Sequence, residues 1–382
     1  MQCGYFDAGV CRSCTHMGVE YADQVARKQT FVTAALGRGI EWGAPFTGRE
    51  DGFRNKAKLV VGGRRGEPTL GILDAGRRGI DLTGCGLYEP GLAHVVHRLP
   101  RLIAELQLTP YDVASRNGEL KHLLVTHSPD GEVMVRFVLR SPGQLPRIDL
   151  DRIRSRIPEA RVVSVNLQPE HKAILEGEQE QILTTEETLP MRVNDVTLHL
   201  RPQSFFQTNT FVAAGLYARA RTWIEKLRPG TVLDLYCGVG GFGLHALGHG
   251  ARHVVGLESS AEAIRSAERS AADLASALAG EGVAGPTSEW HTGDATRTLV
   301  DPTADLVVVN PPRRGIGPQL CAGLEANGPS HLIYSSCNVT TLARDLAALP
   351  AYAVIEAGLF DMFPQTEHHE VMVLLERARP VS

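Results

Sequence analysis

The chain has 382 residues, 43% of them hydrophobic and 21% charged, a composition that gives room for two or three domains with real cores and excludes a disordered or low-complexity protein. A formal net charge of −4 carries no global nucleic-acid signature, so any RNA contact has to use local patches. The start, Met1-Gln2-Cys3-Gly4, lacks a basic segment followed by an apolar one, and no apolar run is long enough to cross a bilayer; a soluble cytoplasmic protein with no membrane partner is expected.

In chain order, the first block runs to about residue 90 and is rich in Gly and Cys and poor in long periodic helices, as expected where a metal site replaces part of a core. Cys3, Cys11 and Cys14 supply three thiolates within a short loop, and Cys85 supplies a fourth from a distance. Four thiolates suit zinc or a [4Fe-4S] cluster. Zinc sites more often show two Cys-x2-Cys knuckles, so the uneven three-plus-one spacing favours the cluster. With all four ligands filled, its expected role is structural or redox-sensing. Arg54/Lys56/Lys58, Arg64/Arg65 and Arg77/Arg78 are basic clusters in this block, each read first as a solvated face.

The second block, 91–195, alternates strand-like and helix-like stretches: Leu120 to Thr126, Glu132 to Leu139, a helix from Leu150 to Ile157 carrying Arg152/Arg154/Arg156, then Val162 to Leu167. That order predicts a small α+β domain. The third block, 196–382, repeats strand-then-helix units. Its strands are expected at Val232 to Tyr236, His253 to Leu257, Leu306 to Val309, Leu332 to Ser335, Tyr352 to Ile355 and Val371 to Leu375, with a helix over Ala261 to Leu278. The last two strands are too close together for a full helix between them. An antiparallel hairpin therefore closes a doubly wound sheet, as in class I methyltransferases.

Asp234-Leu235-Tyr236-Cys237-Gly238-Val239-Gly240-Gly241 joins the first of these strands to a helix. Glycines let the backbone approach a ligand closely, and the helix start exposes N–H groups. The Asp-x-x-x-Gly-x-Gly form favours S-adenosylmethionine over a pyrophosphate. Glu258 ends the second strand, where a carboxylate can accept hydrogen bonds from ribose hydroxyls, and Asp294 sits where an acid can meet an adenine amino group. Cys237 is read as packing beneath the cofactor and Cys321 as structural.

Asn310-Pro311-Pro312-Arg313-Arg314-Gly315 forms a stiff segment after the fourth strand. Asn-Pro-Pro also occurs in amino-methyltransferases, but there an aromatic residue follows where this chain has Arg313. Cys337, in Ser335-Ser336-Cys337-Asn338, offers different chemistry. Carbon 5 of uracil attacks a sulfonium methyl poorly until a thiolate adds at carbon 6 and generates an enolate. Expelling the thiolate afterwards needs a general base for the carbon-5 proton. Glu370 opens the final strand and suits that role, with His368 and His369 as alternatives; a buried inert thiol and a solvated strand end are the competing readings of Cys337 and Glu370.

Met1 to Cys14, Gly52 to Lys58, Arg201-Pro202-Gln203-Ser204-Phe205-Phe206-Gln207-Thr208-Asn209, the glycine loop, Asn310 to Gly315 and Ser335 to Asn338 together resemble the RNA (uracil-5-)-methyltransferase family nearly end to end. The resemblance is greatest to its ribosomal branch, which carries the cluster cysteines and lacks a TRAM domain. It implies an α/β fold: a C-terminal class I methyltransferase Rossmann-like doubly wound sheet, an N-terminal iron-sulfur region (1–90), a central α+β RNA-binding domain (91–195) and no TRAM domain. It further implies that Gln207, Tyr236, Glu258 and Asn310 bind S-adenosylmethionine together with the loop at Gly238. Cys337 is then the nucleophile, Glu370 the base and Cys3, Cys11, Cys14 and Cys85 the ligands of a [4Fe-4S] cluster. Phe205 or Phe206 is expected to stack on the extruded base. The implied activity is methylation of a uridine in 23S rRNA by a monomer. Another rRNA or tRNA uridine, an amino-methyltransferase and a non-catalytic cluster-bearing RNA-binding protein are the alternatives. Most relatives have Asp-Pro-Pro-Arg, so Asn310 is a departure that excludes a purely carboxylate role there.

Overall fold

Long runs of β-branched and aliphatic residues pair into two large sheets. In the computed structural model, which describes residues 1–279, 285–297 and 303–378, these sheets define two compact units: Met1–Gly18 with Arg49–Met191, and Val19–Gly48 with Arg192 onward. The last four residues of the expected 196–382 domain lie outside the described residues. No helix among the described residues is long and apolar enough to cross a membrane.

The first unit holds a seven-stranded sheet in the spatial order Gly79–Asp81, Glu67–Leu73, Lys56–Arg64, Leu120–His127, Val133–Leu139, Ala160–Leu167, Gln179–Ile182. Neighbours are antiparallel except Val133–Leu139 with Ala160–Leu167, a parallel pair joined through the helix Leu150–Arg156. The helix Pro90–Glu105 buries Leu92, Val95, Val96, Leu99, Leu102 and Ile103, an i, i+3, i+4, i+7 stripe. That stripe shares a core with Leu59, Val61, Leu123, Val125, Val135 and Phe137. Strand alternation puts the residues between them on the opposite face.

The second unit holds eight strands in the order Glu41–Trp42, Tyr352–Phe360, Glu370–Arg377, His331–Ser336, Leu306–Val309, Thr231–Leu235, His253–Glu258, Thr287–Thr292. All neighbours are parallel except Glu370–Arg377, which is antiparallel to both of its own. The expected doubly wound sheet and its closing hairpin are present, and Leu306–Val309 is buried throughout, as a central parallel strand should be.

The block boundaries of the sequence reading do not coincide with these units. Lys56–Arg64 pairs with Glu67–Leu73 on one side and Leu120–His127 on the other, so blocks 1–90 and 91–195 share one sheet. Residues 19–48 leave the first block altogether. They form the helix Tyr21–Leu36 and the short strand Glu41–Trp42, which extends the second sheet beside Tyr352–Phe360. The sixteen-residue helix corrects the expectation that the first block is poor in long helices. Its buried positions are Gln24, Lys28 and Val32, correctly spaced at i, i+4, i+8 but mostly polar. Hydrophobic periodicity does not register such a face. Lys28 Nζ instead reaches Asp361 Oδ1 at 2.6 Å and Phe363 O at 3.1 Å, while Tyr21 donates to Asp361 Oδ2 at 2.8 Å. The buried pair pins the segment that leads into Glu370–Arg377.

Candidate active site

The glycine loop leaves Thr231–Leu235 and enters the helix Gly241–Ala246. Asp234 is fully buried, accepts a hydrogen bond from Gly243 N at 2.8 Å, and is pushed up to about 7 chiefly by burial. Tyr236, Gly238 and Gly240 all take positive φ, which is ordinary for the glycines and strained for the tyrosine. No heavy atom lies within 4 Å of where a Cβ on Gly238 would stand, so the loop keeps open space there. Gly256, opposite Trp290 in the sheet register, is the reverse: its Cβ would lie 2.2 Å from the indole ring. Trp290 thus walls the loop from below, and Cys237 is buried beside it, as expected of a packing thiol.

Four polar atoms around this loop and the segment before the helix Thr210–Leu227 are buried without a partner among the described residues: Asp234 Oδ1, Tyr236 Oη, Thr208 Oγ1 and Asn209 Nδ2. Such atoms cost stability unless something fills them, and they fit a polar ligand. Glu258 ends its strand as expected, its Oε1 accepting from Ser260 N at 3.0 Å and Ser259 Oγ at 2.8 Å. Asn310 follows Leu306–Val309, and its backbone N–H donates to Leu235 O at 3.4 Å, beside the start of the loop. Gln207 is buried in the same stretch as Thr208 and Asn209. Asp294 is exposed and held below its usual carboxylate range by hydrogen bonds from Thr296, so it works first as the cap of its own turn.

Cys337, Arg313 and Glu370 come together at the ends of the central strands. The antiparallel register sets Ser335 opposite Met372 and Ser336 opposite Val371, which brings Cys337 alongside Glu370. Burial and the Glu370 charge push the Cys337 thiol up, while the positive charge of the nearby Arg313 opposes them. Glu370 is 2% exposed, and burial raises its carboxyl to about 7 against a hydrogen bond from Ser335 Oγ at 2.6 Å. The backbone at Arg313 and Arg314 is tied down: Arg313 O accepts from Asn338 Nδ2 and Thr341 Oγ1, each at 3.1 Å, and Arg314 O accepts from Arg344 at 2.7 Å. Asn338 also caps the helix Val339–Ala347 through Thr340 N.

His369 is buried against Glu367 O, and burial holds both it and His368 below their usual range. Neither histidine acts on the Cys337 thiol in the way Glu370 does. The two phenylalanines separate: Phe206 is 5% exposed and Phe205 is 68% exposed. Cys321 is buried in the core, as expected of a structural thiol. Sequence reasoning missed two contributors. Ser335 lay in the quoted motif but shows its partner only through the register, and Trp290 opposes Gly256 across two strands far apart in sequence.

In the first unit, Cys14 and Cys85 pack with Phe53, Leu87, Met1 and Met17. Burial first, then the charges of Cys85, Cys11 and Cys3, push Cys14 up to about 11, so the other three thiols all lie within electrostatic reach of Cys14. Among the described residues no three His, Cys, Asp or Glu side chains surround a single ion position. A cluster makes a different demand, since each of its irons takes one thiolate and the four ligands spread more widely. Of the basic patches, Arg64 pairs with Glu67, Arg78 with Asp74 and Arg156 with Glu105, so these arginines are partly neutralised locally.

Residues 295–378 match the profile of the tRNA (uracil-5-)-methyltransferase family and residues 207–319 that of the methyltransferase small domain. The 23S rRNA (uracil(747)-C(5))-methyltransferase RlmC of Halothiobacillus neapolitanus is 47% identical over 389 residues, covering 99% of this chain and 100% of the relative. The enzyme of the same name from Yersinia pestis is 46% identical over 386 residues, with the same coverage. Among solved structures, the Pyrococcus abyssi tRNA (uracil-54, C5)-methyltransferase in complex with S-adenosyl-L-homocysteine superposes with a TM-score of 0.76 at 26% identity, over 95% of this chain and 85% of that one.

Proposed function

The chain belongs to the RlmC family of 23S rRNA (uracil-C5)-methyltransferases, and from that premise we propose that it methylates carbon 5 of a uridine in 23S rRNA, uracil 747 as in its relatives, through a covalent bond to Cys337. The observation that carries this reading is the convergence of the Cys337 thiol, the Arg313 guanidinium and the buried Glu370 carboxyl.

Arg313 stabilises the Cys337 thiolate against the burial that disfavours it. The thiolate adds to carbon 6 of the flipped uracil, its electron pair forming the S–C6 bond while the C5=C6 pair moves toward oxygen 4. Carbon 5 then takes the methyl group, whose bond to the sulfonium sulfur breaks. Glu370 removes the carbon-5 proton, the C5=C6 bond re-forms and the S–C6 bond breaks, returning Cys337. Phe205, exposed two residues before Gln207, is the aromatic residue available to stack on an extruded base.

S-adenosylmethionine supplies the electrophilic methyl group. The partnerless atoms of Asp234, Tyr236, Thr208 and Asn209 support a polar ligand at the loop; Gln207, Gly238, Glu258 and Asn310 would complete its cradle, with Asp294 at the rim. Asn310 offers an amide that both donates and accepts. Cys3, Cys11, Cys14 and Cys85 would hold a [4Fe-4S] cluster; the proximity of the other three to Cys14 supports this. With four thiolates filled, such a cluster would tie the N-terminal loop to its unit and would offer no open iron site for the methyl donor.

The test is to incubate the protein with methyl-labelled S-adenosylmethionine and unmodified 23S rRNA, then digest to nucleosides. Label in 5-methyluridine, mapping to a single stem-loop, is expected. Label in methyladenosine, or none in RNA, would overturn the proposal. A second expectation concerns pH. Glu370 accepts a proton only when ionised, so kcat/KM should fall as pH drops through about 7. The Ser335 hydroxyl favours the charged form, so Ser335→Ala should move this limb to higher pH. An unmoved limb would separate Glu370 from the titration.

A further inference from the structure

The helices Pro90–Glu105 and Leu150–Arg156 both pack on one face of the seven-stranded sheet of the first unit, and part of the opposite face is open. There Val60 and His122 stand directly across from one another in the register, and with Tyr111 they floor a cavity of about 540 Å³. That volume is within the range of pockets that enclose a small ligand, roughly 300–1,000 Å³. Leu73 and the 41%-exposed Ile174 form apolar walls. Arg77, Lys121 and Lys172 bring three cations to the lining against one carboxylate, Glu170, which pairs with Lys172.

The polar groups are fixed in place. Lys121 Nζ lies 4.8 Å from the Tyr111 ring centroid and donates to Glu170 O at 2.7 Å and to Gln168 Oε1. The Tyr111 hydroxyl and His171 Nδ1 share a hydrogen bond of 2.9 Å. The Asp74–Arg78 turn is closed by Arg77 N to Asp74 O and Arg78 N to Asp74 Oδ1, and it holds Arg77 at positive φ with no acidic partner among the described residues. Burial pushes His122 down to about 4, so its ring is neutral, and its Nδ1 has no partner among the described residues.

A floor that carries the Tyr111 ring and an uncharged imidazole, apolar walls and a cationic lining match an unstacked nucleobase with its flanking phosphates. An acidic peptide would satisfy the cations but would leave the aromatic and imidazole floor unexplained. We propose that this cavity is a second nucleobase site, taking an unpaired nucleotide of the substrate RNA other than the methylated uridine. The proposal rests on RNA being the substrate. The residues of the candidate active site belong to the other unit, so the base held here is not the target.

The experiment uses the full-length protein and a hairpin of 23S rRNA containing the target uridine, with each unpaired non-target position made abasic in turn. Ile174→Asp changes an exposed side chain, so folding should survive, and His122→Ala serves as a second variant. One abasic position should weaken wild-type binding roughly tenfold. The same position should cost Ile174→Asp and His122→Ala little, because the lost contact is shared. No coupled position, or a uniform loss at all positions, would reduce the cavity to a phosphate-contact surface and overturn the base site. Variants that bind every RNA as wild type does, even if an acidic peptide binds the cavity, would overturn it too. Formation of 5-methyluridine is read in the same samples: its presence without coupling defeats the base site alone, and its absence with every RNA defeats the methylation reading.

Discussion

Cys337→Ala is expected to lower methyl transfer by roughly four orders of magnitude or more and to abolish any covalent protein–RNA adduct, while S-adenosylmethionine binds as before. The size of the effect follows from the chemistry: without a thiolate at carbon 6, carbon 5 of uracil lacks the electron density to displace a sulfonium. Cofactor affinity should hold because the groups around the glycine loop, Asp234, Tyr236, Gly238 and Glu258, come from other strand ends. Cys237 and Cys321 are buried thiols pushed up by burial and cannot replace the lost nucleophile. Rapid-quench turnover with labelled cofactor, beside a denaturing gel for adduct, checks both halves. Turnover at the wild-type rate would return Cys337 to the role of an inert packing thiol.

Glu370→Gln should slow turnover by roughly 10²–10⁴-fold and leave the protein attached to methylated RNA, since the amide cannot take the carbon-5 proton. Loss of the nucleophile removes the adduct, whereas loss of the base preserves it. The same substitution should raise stability above neutral pH. Burial lifts the Glu370 carboxyl from its ordinary value to about 7 in the folded protein. The neutral form therefore stabilises the fold fully below the unfolded value, and that contribution is lost as pH rises through about 7. A glutamine, neutral at every pH and able to accept from Ser335, should recover roughly 2–3 kcal/mol at pH 8 and nearly nothing at pH 4. Thermal melts at both pH values measure this. Equal melting temperatures for the two proteins at pH 8 would mean that Glu370 is not held in an unfavourable charged state.

Much of the catalytic sheet was legible because parallel strands buried on both faces read as short aliphatic runs. Leu306–Val309 fell on its predicted residues, and the hairpin of the last two strands followed from the short distance between them. Thr287–Thr292 was missed because an edge strand with one buried residue, Trp290, carries no such run. The helix Tyr21–Leu36 was missed because its inward face is Gln24 and Lys28, whose partners Gln365 and Asp361 lie more than three hundred residues away. The nucleophile and base candidates were visible as residue types at strand ends. The spatial convergence of Cys337, Arg313 and Glu370 needed the antiparallel register, and so did Ser335. The choice between Phe205 and Phe206 depended on burial, which adjacent identical residues cannot reveal.

The central claim is that carbon 5 is activated by a bond to Cys337, and RNA carrying 5-fluorouridine at the target position tests it most directly. Fluorine replaces the proton that Glu370 must remove, so methyl transfer can occur but elimination cannot. The account predicts a stable one-to-one complex of protein, RNA and one methyl group. After nuclease and protease digestion, mass spectrometry should find the modified nucleotide on the peptide containing Cys337. Free methylated RNA with no adduct, or an adduct on any other residue, would contradict it.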